Sequence, residues 1–254
     1  MKINEVTVGG PCWVEHASAD PGAAKRFYGE LFAWRAEAGE SHGTDGYTFM
    51  TLDGATIAAV TPLEGEGQPT AWTVSFAVTD ADASAAKVAA AGGSVLAGPA
   101  DVSDLGRFVV AADPSGAVFA LWQARGLPGV GLLNAPGALG WVELLTRDTA
   151  GATAFYPAVF GWTVNPSDTY TQWGLAGLDF GGMMAMDENF PPQLPPYWLP
   201  YFAVADVDGT AFRAGSLGAD VLMPPTSVPD GPRIAVLRDP VGAVFGVYPA
   251  GTEG

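Results

Sequence analysis

Residues 13–34 read WVEHASADPGAAKRFYGELFAW, and residues 141–162 read WVELLTRDTAGATAFYPAVFGW. Both stretches carry Trp-Val-Glu, an aspartate, Phe-Tyr and a closing tryptophan, at a constant spacing of 128 residues. Further along the chain, DPSGAVF at 113–119 recurs as DPVGAVF at 239–245. A repeat at fixed spacing indicates a duplicated structural unit. We therefore predict a first domain at 1–126, a Gly- and Pro-rich linker at 127–137 and a second domain at 138–254.

Each half contains the pattern β-α-β-β-β twice. In the first unit, alternating apolar residues predict a strand over Cys12–Ala19. Asp20 then suits a helix N-cap and Pro21 the first helical position. The turn at Asp53-Gly54 predicts a hairpin between the last two strands. Equivalent patterns follow three more times, so we expect an α+β fold of four such modules, with helices in the second half at 149–160 and 207–216.

Composition excludes several classes of protein. Hydrophobic residues make up 48% of the 254 residues and charged residues 15%, which is typical of a globular protein. The 11 basic and 27 acidic residues give a net charge of −16, which disfavours nucleic acid or an anionic membrane as a partner. No apolar run has the length of a membrane span and the N-terminus does not resemble a signal peptide, so we expect a cytoplasmic protein.

The repeated motifs resemble those of the vicinal oxygen chelate (VOC) superfamily, which includes glyoxalase I, bleomycin-resistance proteins and extradiol dioxygenases. The tandem form with Trp-Val-Glu at each start is similar to the mycobacterial culture-filtrate antigen group. The resemblance covers the chain from about Pro11 to Pro249. It implies two glyoxalase-like domains whose mixed sheets curve into cups, each cup holding a ligand or a metal ion.

The positions that the resemblance assigns to metal ligands hold other residue types here. Metal-dependent members place His, Glu or Gln on the first and last strands of a module. The corresponding positions in this chain are Trp13, Thr73, Ala120, Trp141, Leu199 and Gly246. A catalytic metal ion normally needs three protein ligands, so we predict no metal site and no cofactor.

Two carboxylates are predicted to lie inside the cups. Because side chains alternate along a strand, Glu15 shares a face with Trp13, and Glu143 shares one with Trp141. A carboxylate among apolar residues is costly unless it is paired, and we expect Arg107 and Arg233 to be the partners. Two interpretations stay open: a buried ion pair that only fixes the strands, or contact with a ligand, including acid–base catalysis.

Aromatic residues supply the rest of the predicted cup lining. Trp13 and Trp141 either fill the space of an absent metal or stack on a planar ligand. Small residues at 58–59 and 181–182 are expected to leave space opposite them, and the Pro-rich segment 190–198 to form either a rim over the second cup or a plain connector. Further candidate ligand contacts are Tyr47, Phe49, Tyr170, Trp173, Met183 and Tyr201.

These observations favour a metal-independent protein that binds a small apolar or aromatic molecule, for sequestration, resistance or an accessory role in metabolism. The alternative is a lyase, isomerase or hydroxylase-like tailoring enzyme that uses Glu15 or Glu143 on a carbonyl or polyketide substrate. A metal-dependent glyoxalase or dioxygenase would require a bulge that brings one of these carboxylates into the ligand position. We expect a monomer or homodimer.

Overall fold

The computed structural model describes residues 6–37, 46–167, 170–229 and 231–251. His42, which the sequence places in a polar loop, lies outside these ranges. The elements of the first half are β1 (Pro11–Ser18), α1 (Pro21–Phe32), β2 (Arg35–Ala36), β3 (Thr48–Leu52), β4 (Ala55–Pro62), β5 (Ala71–Ala77), α2 (Ala81–Ala90), β6 (Ser94–Val102), β7 (Gly106–Ala112) and β8 (Val118–Ala124).

The second half repeats this order. Its elements are β9 (Leu139–Thr146), α3 (Thr149–Phe160), β10 (Thr163–Pro166), β11 (Thr171–Leu175), β12 (Leu178–Ala185), β13 (Tyr197–Val204), α4 (Val207–Ser216), β14 (Asp220–Ser227), β15 (Arg233–Arg238) and β16 (Val244–Pro249). Helices α3 and α4 have the predicted bounds. Pro157 lies inside α3 without shortening it, and Gly161 ends the helix in the left-handed conformation at φ 76°.

Each half forms one eight-stranded mixed sheet. The strand orders are β2-β3-β4-β1-β5-β8-β7-β6 and β10-β11-β12-β9-β13-β16-β15-β14. At the centre of each sheet, the first strands of the two modules pair antiparallel, as β1 with β5 and β9 with β13. The predicted α+β fold of four modules in two sheets is confirmed.

The first helix of each half begins as the sequence predicts. Asp20 accepts a hydrogen bond from the backbone N–H of Ala23 at 2.9 Å, and Asp148 accepts one from Gly151 at 2.8 Å. These caps satisfy backbone donors that the first helical turn leaves free. Among the described residues, no helix is long and apolar enough to cross a membrane.

The helix-bearing faces of the two sheets meet in a single hydrophobic core. Phe27 on α1 lies 6.1 Å from Phe245 on β16, between ring centroids, and Phe155 on α3 lies 6.1 Å from Phe119 on β8. Each of these helices therefore packs against the sheet of the other half. The opposite faces of the sheets, which point away from this core, are the two cups.

Two aspartates connect the halves across this core. Asp239 accepts a hydrogen bond from Tyr28 at 2.9 Å and lies 2.7 Å from Nε2 of His16. Asp113 accepts the equivalent bond from Tyr156 at 3.0 Å. His16 is fully buried on the helix-facing side of β1, as its strand position predicts.

Candidate functional site

The first cup is built on the face of β1 that carries Trp13 and Glu15. Strand register places Glu15 opposite Ala59 on one side and Thr73 on the other, and Phe49 follows opposite Ala59. The alternation of side chains thus puts the carboxylate in the middle of a row that crosses the sheet. The predicted face for Trp13 and Glu15 is the one observed.

A chain of hydrogen bonds links three residues of the first cup. The indole Nε1 of Trp13 donates to the hydroxyl oxygen of Tyr47 at 3.3 Å, and the Tyr47 hydroxyl is hydrogen-bonded to the carboxylate of Glu15. Phe49 packs edge-on against Trp13, with ring centroids 5.8 Å apart. Trp13 is buried in this arrangement, so its indole N–H donates a hydrogen bond inside the packed cluster. The rings of Tyr47 and Phe49 are more exposed than that of Trp13.

The second cup repeats the chain of hydrogen bonds. Trp141 Nε1 donates to the hydroxyl oxygen of Tyr170 at 3.0 Å, and the Tyr170 hydroxyl is hydrogen-bonded to Glu143. Tyr201 also donates to Oε2 of Glu143, at 3.1 Å. Both cups therefore contain a Trp–Tyr–Glu relay in which a tyrosine hydroxyl meets a carboxylate.

Burial dominates the electrostatics of both carboxylates. Desolvation raises the pKa of Glu15, and the hydrogen bond from Tyr47 opposes this rise. Desolvation raises the pKa of Glu143 as well, against the hydrogen bonds from Tyr170 and Tyr201. A hydrogen bond donated to a carboxylate favours its charged form, so the tyrosines moderate the effect of burial without cancelling it.

Tyrosine rings occupy the small-residue positions of the second cup. A Cβ atom added to Gly182 would collide with Tyr170, and one added to Gly246 would collide with the ring of Tyr201. The space that we predicted opposite Gly182 is therefore filled, because Tyr170 lies over it. In the first half, Ser75 and Ala120 stand at the register positions of Tyr201 and Gly246.

The Pro-rich segment forms a cover for the second cup. Phe190 and Leu194 pack against cup residues that include Leu199 and Tyr201. Arg147 donates hydrogen bonds to the backbone carbonyls of Leu194 at 2.7 Å and of Pro191 at 2.9 Å, which hold the segment in place. Of the two interpretations of this segment, the structure supports the rim.

The predicted pairing of the cup carboxylates with Arg107 and Arg233 is wrong. Arg107 binds Asp82 at 2.8 Å and Asp101 at 2.9 Å, and Arg233 binds Asp208 at 2.6 Å. Arg107 shares a face of β7 with the core residues Val109 and Ala111, which are two and four positions further along, so it lies on the helix-facing side of the sheet. Both arginines are thus outside the cups and are not placed to contact a ligand there.

Trp173 and Met183 are also placed outside the cup. Trp173 is fully buried and lies 5.7 Å from Tyr156 and 5.6 Å from Trp162, between ring centroids, in the core shared by the halves. Met183 belongs to the same core, whereas its neighbour Met184 faces the second cup. Tyr47, Phe49, Trp141 and Tyr201 do line the cups.

The tyrosine partners of the carboxylates were missed by reasoning from the sequence. The sequence predicts Tyr47 and Tyr170 only as cup lining and candidate ligand contacts, although both directly precede equivalent strands, β3 and β11, and so repeat together with the glutamates. That repeat is the signal that links them to Glu15 and Glu143. Cup residues that the sequence did not single out are Val130, Ile234 and Tyr248, and the predicted Pro-rich segment contributes Leu194 and Tyr197.

The donor set of the cups does not fit a metal ion. Beside Glu15 in the sheet lie Ala59 and Thr73, and beside Glu143 lie Gly182 and Leu199. The bulge in β1 lies at residues 11–13, and within the described part of the chain the carboxylate that acts on the pKa of Glu15 is that of the exposed Glu64. Among the described residues, no group of three His, Cys, Asp or Glu side chains is placed to hold a metal.

Two surface cavities do not reach the cup carboxylates, although the first is lined in part by Val6, Ala77 and Trp122 from the hydrophobic cluster around Trp13. One of about 320 Å³ lies between Val6, Thr79 and Trp122, and one of about 390 Å³ lies between Glu30, Pro136 and Arg213. Neither is lined by Glu15 or Glu143. The paired relays, rather than these cavities, define the candidate site.

Family models match both halves of the chain. Residues 13–122 match a glyoxalase-like domain, and residues 138–247 match the Glyoxalase/Bleomycin resistance protein/Dioxygenase superfamily. The chain belongs to this superfamily. The resemblance seen in the repeated motifs is thereby confirmed.

Relatives within the superfamily span the whole chain. The protein named "Putative glyoxylase CFP32" from Mycobacterium tuberculosis is 39% identical over 255 residues, covering 97% of each chain. The "Anthracycline biosynthesis protein DnrV" from Streptomyces peucetius is 38% identical over 272 residues, again covering 97% of each chain.

Solved structures of the superfamily share the fold. The Mn(II)-bound glyoxalase from Novosphingobium aromaticivorans superposes with a TM-score of 0.69 at 17% identity, covering 97% of this chain and 86% of that chain. The 2,3-dioxygenase LapB from Pseudomonas sp. KL28 gives a TM-score of 0.67 at 14% identity, covering 96% and 93%. At these identities the likeness shows the fold alone.

Proposed function

We propose that this protein binds a small, neutral, planar aromatic molecule in a cup, without a metal ion, and that the cup glutamate accepts a hydrogen bond from a hydroxyl group of the ligand. The observation that carries this proposal is the Trp–Tyr–Glu relay of Trp13, Tyr47 and Glu15, which the second half repeats. A carboxylate has capacity for several hydrogen bonds, so the tyrosine does not exhaust it.

The surroundings of the carboxylate support an aromatic ligand. The rings of Tyr47 and Phe49 offer apolar surface next to Glu15, and aromatic pairs favour edge-on or offset contact. The net charge of −16 disfavours an anionic ligand. The Streptomyces relative is named for anthracycline biosynthesis, which agrees with an aromatic ligand in sequestration, resistance or an accessory metabolic role. The cytoplasmic location and the state as monomer or homodimer stay predictions from the sequence.

Equilibrium dialysis with 2-naphthol tests this function, with 2-methoxynaphthalene as a ligand of the same ring system without the hydroxyl donor. We expect 2-naphthol to bind more tightly by roughly 10–100-fold, because a hydrogen bond to a charged group contributes about 1.5–3 kcal/mol. The double variant Glu15→Gln, Glu143→Gln should remove most of this preference. Equal affinity for the two compounds, or loss of binding after treatment with a chelator, would contradict the proposal.

A second candidate function is proton transfer at carbon. The pKa of Glu15 and that of Glu143 are raised, and each carboxylate is hydrogen-bonded to a tyrosine hydroxyl. Such a carboxylate is suited to remove a proton from the carbon next to a carbonyl group and to return it to the resulting enolate. Incubation of 2-tetralone with the protein in D2O tests this by the loss of its α-proton NMR signals. Exchange that is no faster than with the double Gln variant would exclude this activity for that ketone.

A further inference from the structure

We infer that only the first cup takes a ligand, and that Tyr201 closes the second cup from within. This inference rests on the proposed function and assigns it to one half of the duplicated chain. Its basis is a difference at two paired positions. Ser75 and Ala120 stand side by side in the first sheet, where Tyr201 and Gly246 stand in the second.

The ring of Tyr201 fits into the second cup because residue 246 is a glycine. The ring of Tyr201 lies over Gly246, in space that the Cβ of an alanine would occupy. In the first cup Ala120 carries that Cβ, and Ser75 is too short to cross the cup. The Tyr201–Gly246 pair thus fills a volume that the Ser75–Ala120 pair leaves without a side chain of comparable size.

Tyr201 also uses hydrogen-bonding capacity of the cup carboxylate. Glu143 is hydrogen-bonded to the hydroxyl groups of both Tyr170 and Tyr201. In the first cup, Tyr47 supplies the bond equivalent to that of Tyr170, and Ser75 replaces the second tyrosine. Glu15 therefore lacks the tyrosine that, at Glu143, stands where a ligand hydroxyl would bind.

The two carboxylates differ in cover as well. Glu143 is 6% exposed, Leu199 beside it is 1% exposed, and Phe190 and Leu194 pack on the same cluster. Glu15 and the neighbouring Thr73 are only half-buried. The first cup also has a cover, in which Val6, Leu127 and Val130 pack around Trp13, but this cover leaves Glu15 more exposed than the Pro-rich segment leaves Glu143.

The first cup thereby selects a particular geometry of ligand. The ring of the ligand lies against Tyr47 and Phe49, and its hydroxyl donates to Glu15 from the side of Thr73. Val130, from the segment between the halves, packs in the same hydrophobic cluster as Trp13. A small, flat phenol fits this arrangement.

Exchange of the paired residues tests the inference, with 2-naphthol as the probe and equilibrium dialysis as the measurement. We expect one equivalent bound per wild-type chain. The closing variant Ser75→Tyr, Ala120→Gly should lose binding, and the opening variant Tyr201→Ser, Gly246→Ala should bind a second equivalent. Circular dichroism and urea unfolding establish that each variant is folded.

The single variant Glu15→Gln tests the same inference without a change of volume. We expect it to weaken binding of 2-naphthol at least tenfold. Two equivalents bound to the wild type, or unchanged affinity of Glu15→Gln, would overturn the assignment to the first cup while leaving the proposed function intact. A wild-type chain that binds no 2-naphthol would contradict the proposed function itself.

Discussion

The carboxylate of Asp239 accepts a hydrogen bond from the hydroxyl of Tyr28 at 2.9 Å, and the two residues belong to different halves of the chain. The same carboxylate oxygen lies 2.7 Å from His16, and the other oxygen accepts from the backbone N–H groups of Val241, Gly242 and Ala243. Asp239 therefore both shapes its own turn and joins the halves.

Asp239→Ala is expected to lower the free energy of unfolding by about 3–5 kcal/mol, because Tyr28, His16 and the turn lose a buried acceptor together. Urea unfolding followed by circular dichroism measures the change. Asp220→Ala serves as the control, since Asp220 pairs with Arg238 at the surface and should contribute at most about 1 kcal/mol. Similar losses in the two variants would show that the buried contact does not stabilise the fold.

Gly246→Ala is expected to destabilise the protein by about 1–3 kcal/mol, because the added methyl group displaces the ring of Tyr201. With Tyr201→Ser in the background the loss should be smaller, since the obstructing ring is gone. Thermal unfolding of the two single variants and the double variant gives the coupling between the sites.

Gly215→Ala provides the matched control for that glycine. Gly215 lies in α4 with open space around its Cα, so alanine there should stabilise the protein by about 0.5–1 kcal/mol. A Gly246→Ala variant as stable as Gly215→Ala would mean that Tyr201 does not occupy the cup.

The two cup glutamates predict an unusual dependence of the free energy of unfolding on pH. Because the pKa of Glu15 and of Glu143 is raised on folding from an ordinary value of 4.5, the folded state retains protons that the unfolded state releases. Their contribution to stability is therefore present below pH 4.5 and declines as the pH rises through the folded-state pKa values. Asp82 and Asp208 affect stability in the opposite direction and at lower pH. Arg107 and Arg233 lower the pKa of these carboxyl groups from 3.8, so their contribution to stability is present above pH 3.8 and is lost as the pH falls.

Urea unfolding at several pH values above 4.5 measures this decline in the free energy of unfolding. The double variant Glu15→Gln, Glu143→Gln should show a flatter profile than the wild type, because glutamine does not titrate. A wild-type stability that rises across this range in parallel with the double variant would show that burial does not shift the two carboxyl groups as described.

Arg147→Ala is expected to loosen the cover of the second cup. Without the guanidinium, the carbonyls of Pro191 and Leu194 lose their donors, so the segment should open more often. Limited proteolysis with thermolysin should then cleave near Phe190 and Leu194 several times faster than in the wild type. Arg125→Ala, which removes a surface arginine bound to Asp101, should leave this cleavage rate unchanged; equal rates in all three proteins would count against the role of Arg147.

The sequence predicted the positions of elements and the faces of the first strand well. The Phe-Tyr helices, their aspartate caps and the alternation of Trp13 and Glu15 with His16 depend on local patterns of spacing, which a single chain displays directly. Duplication added a second reading of each pattern. The sequence alone therefore predicts the family and the paired modules.

The partners of charged residues could not be predicted in the same way. Opposite charge alone predicts the pairing of Arg107 with Glu15, yet Arg107 shares a face of β7 with the core residue Val109 and so lies on the side of the sheet away from Glu15. The contact between Glu143 and Tyr201 joins neighbouring strands 58 residues apart, and the ring position over Gly246 depends on packing that no local pattern encodes.

The shared helix layer makes the two halves depend on one another for solvent exclusion. A chain cut in the segment between the halves would expose Phe27 and Phe155 to water and leave Asp113 and Asp239 without their tyrosines. We expect each fragment to fold only when the other is present. We therefore expect the halves to fold together as the subunits of an obligate heterodimer do, and their two cups can diverge in sequence while the interface between the halves constrains both.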